Sequence, residues 1–163
     1  MIKTIALFIS LILFLFASDG KKIASHKFET LEGKQIELKA QLAKDVTIIT
    51  FWATWCKPCA EEMTEFQKLL DIYGESGLKV IAISTDNERS IAKVKPFMKS
   101  KQFAFTILLD TNGEAMRKFG VQSVPHTFVV SGDGTILYNH SGYSKGDEKK
   151  VEEIIKLQLK AGS

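Results

Sequence analysis

Cys56 and Cys59 are the only two cysteines in a chain of 163 residues, and they bracket Lys57 and Pro58. A thiolate is the attacking group in disulfide exchange, so a close pair of this kind can swap a disulfide with a partner. Its placement matters more than the motif. The apolar, β-branched run Val46–Trp52 precedes the pair, and Ala60, Met63, Phe66, Leu69, Leu70 and Tyr73 follow at helical spacing. Cys56 therefore falls at a helix N-terminus, where unpaired backbone N–H groups and the helix dipole favour an anion. Pro58 suits the first turn because it needs no partner for an N–H there. Lys57 adds positive charge. Cys59 lies one turn deeper and more shielded. The expected order is attack by Cys56 on a partner disulfide and resolution of the mixed disulfide by Cys59.

Zinc is the competing use of a cysteine pair. It calls for about four ligands, and His26, His126 and His140 are scattered without ligand spacing. No metal and no cofactor are expected. A structural disulfide at a helix start is the other alternative.

The elements that must position the pair are legible by pattern. Phe28–Thr30 and Gln35–Leu38 read as a hairpin turning at Glu32-Gly33. Val46–Trp52 reads as a strand covered on both faces. The helix after the cysteines closes at Gly74 and Gly77, and Leu78–Ser84 is the next strand. Ile91, Val94, Phe97 and Met98 mark a second helix, with Pro96 predicting a kink or a fresh start. Thr106–Leu109 is a strand, and Asn112–Phe119 a short helix stopped by Gly120. Thr127–Val130 and Thr135–Tyr138 form a hairpin across Gly132-Asp133-Gly134. A last helix runs from Asp147, as N-cap, to Leu159. Strands alternating with helices and finishing in a hairpin predict one mixed α/β domain.

Residues 1–20 stand apart. Lys3 is followed by the apolar block Ile5–Phe16, then by small and polar residues to Gly20. The block is short of the ~20 residues that span a bilayer. It reads as a signal peptide or an N-terminal membrane anchor, leaving residues 21–163 as the folded domain. Without a cysteine it offers no lipid attachment site. Export implies an oxidising compartment, the periplasm or another extracytoplasmic space. The net charge is only +3, with 25% charged residues. That is too little for a nucleic-acid protein, and the lysines at 93, 95, 99 and 101 read as a solvated helix face.

The stretch from Phe51 through Cys59 to Met63 resembles the exported thioredoxin-like reductases of the TlpA and ResA type, related to the cytochrome c maturation reductases. Leu108-Leu109-Asp110, Gly120–Pro125 and Gly132-Asp133-Gly134 fall in the same family order, so the resemblance spans about His26 to Lys160. It implies a thioredoxin fold, with a central mixed β-sheet flanked by helices and an N-terminal β-hairpin extension.

Roles follow from that resemblance. Pro125 matches a cis-proline facing the cysteine pair, and cis is accessible mainly before proline. The backbone at Val124 is then free to pair with a substrate strand. Glu62 matches an acidic residue near the cysteines and lies one helical turn from Cys59, on the same face. It would hold the Cys59 proton during resolution, with its own pKa raised toward neutrality by shielding. Trp52 matches a core position, and Trp55 one that covers the site. Ordinary thioredoxins carry a buried aspartate six residues before the first cysteine, where this chain has Thr50. His126, directly after Pro125, falls near the site.

The resemblance implies reduction of a disulfide-bonded client protein, with an apocytochrome c as one candidate, using electrons from a membrane protein. Two other readings stand beside it. One is a thiol peroxidase, although Ala53 occupies the position where peroxiredoxins carry threonine. The other is a thioredoxin-fold module that docks a peptide without turnover.

Overall fold

The computed structural model describes residues 20–162. The reading of a leader over residues 1–20 therefore falls almost wholly outside the described residues. Seven strands form one mixed sheet: β1 (Lys27–Thr30), β2 (Gln35–Glu37), β3 (Val46–Trp52), β4 (Leu78–Ser84), β5 (Thr106–Leu109), β6 (His126–Ser131) and β7 (Ile136–Ser141). Their order across the sheet is β2-β1-β5-β4-β3-β6-β7. Strands β3, β4 and β5 run parallel, while β1, β2, β6 and β7 pair antiparallel with their neighbours. Parallel neighbours need long crossovers. These are supplied by α1 (Lys57–Tyr73) and α2 (Val94–Lys101); α3 (Glu114–Phe119) and α4 (Asp147–Ala161) complete the helices.

Every residue of β3 is buried, as a strand with helices on one face and loops and α3 on the other requires. Its alternation splits the core in two. Val46, Ile48 and Trp52 pack with Cys59, Met63 and Phe66 of α1 and with Val151 and Ile155 of α4. Ile49 and Phe51 pack on the opposite face with Phe28, Leu38, Ala115 and Phe128. The buried stripe of α1 is Cys59, Glu62, Met63, Phe66 and Leu69. That spacing is one helical face, and Glu62 is its only charged member.

The thioredoxin-like α/β architecture and its N-terminal hairpin match the sequence reading. Many strand and helix ends differ from that reading by one to three residues, and some of the differences have a clear physical reason. Leu38 leaves the hairpin and opens a short 3₁₀ turn over Leu38–Gln41, where its side chain is fully buried. Asp147 is not the N-cap of α4. That position belongs to Gly146, at φ 114°, a left-handed conformation that glycine adopts without a Cβ clash. Asp147 is instead the first helical residue, and its Oδ2 accepts from the Ser144 N–H at 2.8 Å. The final helix also runs two residues past Leu159. Pro96 sits in the first turn of α2, after a 3₁₀ turn at Ile91–Lys93, so it marks a fresh helix start.

Candidate active site

Strand β3 delivers the chain to the loop Ala53–Cys56, and Cys56 caps α1. Its backbone is extended (φ −90°, ψ 102°), and its Sγ accepts from the Cys59 N–H at 3.2 Å. Lys57 and Pro58 are the first two helical residues, as expected of a proline near a helix start. Cys56 and Cys59 are joined in a disulfide, with Cα atoms 5.3 Å apart. Cys56 is 6% exposed and Cys59 fully enclosed. The Lys57 side chain is 90% exposed and only loosely paired with Glu61, at 4.0 Å.

The loop before Cys56 is held by a buried acid that lies outside every motif of the sequence. Asp86, just beyond β4, is 1% exposed. Its carboxylate accepts from the Thr54 N–H at 2.8 Å, the Thr54 hydroxyl at 2.6 Å and the Ser84 hydroxyl at 2.9 Å. Thr85 donates from its backbone and its hydroxyl to the Trp52 carbonyl. The end of β4 thus clamps the end of β3. Asp86→Ala would take the acceptor away from two donors of half-buried Thr54 and from the hydroxyl of buried Ser84. The expected loss is about 3 kcal/mol in urea unfolding, since an unsatisfied buried donor costs about 1–3 kcal/mol. Attack by Cys56 should slow as well, because its loop loses its anchor.

Glu62 projects from α1 onto the sheet and is 1% exposed. Its Oε2 accepts from the hydroxyls of Thr50, at 3.3 Å, and Thr127, at 3.0 Å. Its Oε1 lies 2.8 Å from His140 Nε2. Thr50 pairs with Thr127 across β3 and β6, and Thr127 pairs with His140 across β6 and β7. The three residues form one row on one face of three adjacent strands, and Glu62 sits over that row. This burial sets Glu62 apart from its neighbour Glu61, whose side chain is 57% exposed. Thr50 stands where ordinary thioredoxins carry a buried aspartate. In the structure its hydroxyl serves the carboxylate supplied by the helix. Thr127 and His140 were missed. The available signal was a polar residue interrupting each apolar alternation.

The Val124–Pro125 peptide bond is cis. Pro125 is buried and directly precedes β6, whose first residue His126 pairs with Phe51 near the end of β3. Val124 and Pro125 therefore lie at the same end of the sheet as the loop that carries Cys56. Trp52 is fully buried and packs at a tilt against Phe97, with ring centroids 5.1 Å apart. Trp55, next to Cys56 in the chain, is 70% exposed, whereas the disulfide itself is buried. His126 packs on Phe128 on the other face of the sheet from Glu62. Burial, then the nearby His140, lowers its pKa. Among the described residues no group of three His, Cys, Asp or Glu side chains is placed to hold a metal ion. No described helix is long and apolar enough to cross a membrane.

Comparison with known proteins agrees with this geometry. The model of the AhpC/TSA family matches residues 20–139. The thiol-disulfide oxidoreductase ResA of Bacillus thuringiensis subsp. konkukian is 36% identical over 137 residues, covering 84% of this chain and 76% of that protein. The sporulation thiol-disulfide oxidoreductase A of Bacillus subtilis is 31% identical over 123 residues, covering 75% and 73%. Among solved structures, an uncharacterized thioredoxin-like protein from Porphyromonas gingivalis superposes with a TM-score of 0.76 at 32% identity, covering 86% of this chain and 94% of that one. StoA from Bacillus subtilis superposes with a TM-score of 0.64 at 27% identity, covering 80% and 96%. The chain belongs to the AhpC/TSA family and is a thiol–disulfide oxidoreductase of thioredoxin-like fold.

Proposed function

We propose that the chain reduces protein disulfides outside the cytoplasm, with Cys56 as nucleophile, Cys59 as resolving thiol and Glu62 as the acceptor of the Cys59 proton. The observation that supports this order is the difference in access at the start of α1. Cys56 retains a sliver of exposed surface and Cys59 none. A client sulfur reaches only the first. Reduced Cys56 would also sit where the α1 dipole and the free N–H groups of the first turn favour its thiolate.

Trp55 is the exposed apolar contact for the client, and the Val124–Pro125 backbone is the edge that receives its chain. The client class is a disulfide-bonded protein, with an apocytochrome c as one candidate. An oxidising compartment implies a membrane protein as electron donor. Residues 1–20 act in this reading as the export signal or the anchor, and residues 21–163 as the working domain. No nucleic acid takes part.

Insulin reduction by the full chain, together with equilibration against glutathione, tests the reading. Turnover is expected, with a reduction potential near that of thioredoxin, roughly −270 mV. A chain that binds client peptides without turnover is a docking module. A potential near roughly −120 mV makes the protein an oxidant instead.

A further inference from the structure

A single imidazole closes the row beneath Glu62. His140 Nε2 lies 2.8 Å from Glu62 Oε1, with side-chain exposures of 14% and 1%. Its other ring nitrogen, Nδ1, is buried with no hydrogen-bond partner among the described residues. That unpartnered atom discriminates between protonation states. If Glu62 is ionised and a neutral ring donates from Nε2–H, Nδ1 is a bare lone pair. If Glu62 carries the proton and donates it to Nε2, the ring hydrogen must sit on Nδ1, as a buried donor without an acceptor. A doubly protonated ring has the same fault. An orphaned buried N–H is the rarer and costlier defect. The Thr50 and Thr127 hydroxyls add two donors to Oε2, which also suits an ionised carboxylate.

We infer that His140 is a positioning residue for Glu62, holding Oε1 through one N–H donor and keeping the carboxylate ionised until Cys59 gives up its proton. The inference rests on the proposal that Glu62 accepts that proton. In the resolving step the Cys59 S–H bond breaks, its electron pair forms the bond to Cys56, and its proton passes to Glu62. The bond between Cys56 and the client breaks, and the client sulfur leaves with that electron pair. The ring stays neutral throughout.

Other titratable groups approach from each packed element. His126, on the opposite face of β6, meets His140 through its charge, and Tyr138 on β7 has its ring centroid 5.4 Å from that of His140. Tyr143 follows β7, Glu65 is on α1, and Glu148 on α4 accepts from the Tyr143 hydroxyl. Glu62 and Glu65 both act on Tyr143 through their charge. Among the described residues, His140 is the one that hydrogen-bonds Oε1.

The test is rapid mixing of the reduced full chain with an aromatic disulfide that releases a coloured thiolate at each step, across a range of pH. The second release reads resolution. His140→Phe removes the donor to Oε1, so the charged carboxylate loses one of its hydrogen bonds. The resolving step should be roughly tenfold slower at neutral pH and recover on the alkaline side, because hydrogen bonds to charged groups are the stronger ones. His140→Gln offers an amide N–H in place of Nε2–H and should restore the wild-type profile. Combined with Glu62→Gln, His140→Phe should add no further slowing. A His140→Phe profile superposed on the wild type overturns the inference. So does a Gln variant as impaired as the Phe variant, or a slowing equal at every pH with a lowered melting temperature. If Glu62→Gln leaves resolution untouched, the base assignment itself fails, and the inference with it.

Discussion

Replacing Cys59 with serine is expected to turn the enzyme into a trap that accumulates mixed disulfides with its clients. The attacking sulfur is unaffected by that change. Cys56 keeps its place as N-cap of α1, and the backbone N–H groups of the first turn remain to stabilise its thiolate. What disappears is the second sulfur, one turn deeper and fully enclosed, which alone lies within bonding reach of Cys56. Attack then proceeds once per chain and stops. Cys56→Ser should behave differently, abolishing exchange and trapping nothing, because the remaining thiol is out of a client's reach. Non-reducing gels of the captured proteins, followed by release with dithiothreitol, read both variants. Trapping by Cys56→Ser in place of Cys59→Ser would reverse the assigned order.

Glu62→Gln should slow the resolving step by about 10²-fold near neutral pH, at the lower end of what a positioned general base contributes. The first attack by Cys56 should change little. The reasoning begins with enclosure. A thiol fully enclosed in the apolar core cluster that also holds Trp52, Met63 and Ala82 has little help from water in shedding its proton. Glu62 is one turn from Cys59 on the same buried stripe, with Thr50 in the place of the thioredoxin aspartate. Gln is a mild replacement. Its carbonyl still accepts from Thr50 and Thr127, and its amide can donate to His140 at the cost of one unpartnered Nδ1–H, about 1–3 kcal/mol, which a folded domain tolerates. Stopped-flow traces of wild type and variant across pH decide the matter. Coincident pH profiles for the resolving step would show that solvent takes the proton.

Much of this was legible in the chain because it depends on short-range physics. The run Val46–Trp52 is a buried strand because seven consecutive residues without a charge, mostly β-branched or aromatic, fit only a sheet covered on both faces. The helix after Cys59 announces itself by period, and Pro58 and Gly74 mark its start and its end. The place of Cys56 at that helix start follows from the order strand, cysteine pair, helix. The errors lie where local signals compete. Asp147 is an apt N-cap by residue type, but the chain enters α4 through a left-handed turn that only Gly146 makes cheaply.

The environment of Glu62 was decided by tertiary structure. Its partners come from three strands, at positions 50, 127 and 140, and nothing in their spacing relates them. Two sheet pairings bring them into line, and one irregularity selects the last. Val130 pairs with Ile136, but Val129 pairs with Tyr138, so Leu137 is an extra residue in β7. Continued without that bulge, the register would set Asn139 opposite Thr127 and turn His140 to the far side of the sheet. Side chains alternate faces at every residue, so a shift of one position exchanges the whole set. The sequence by itself determined the dithiol, its helix and the core that carries them. Which polar groups meet the buried carboxylate was settled only when β7 paired with β6, because strand register is a property of the assembled sheet and not of either strand alone.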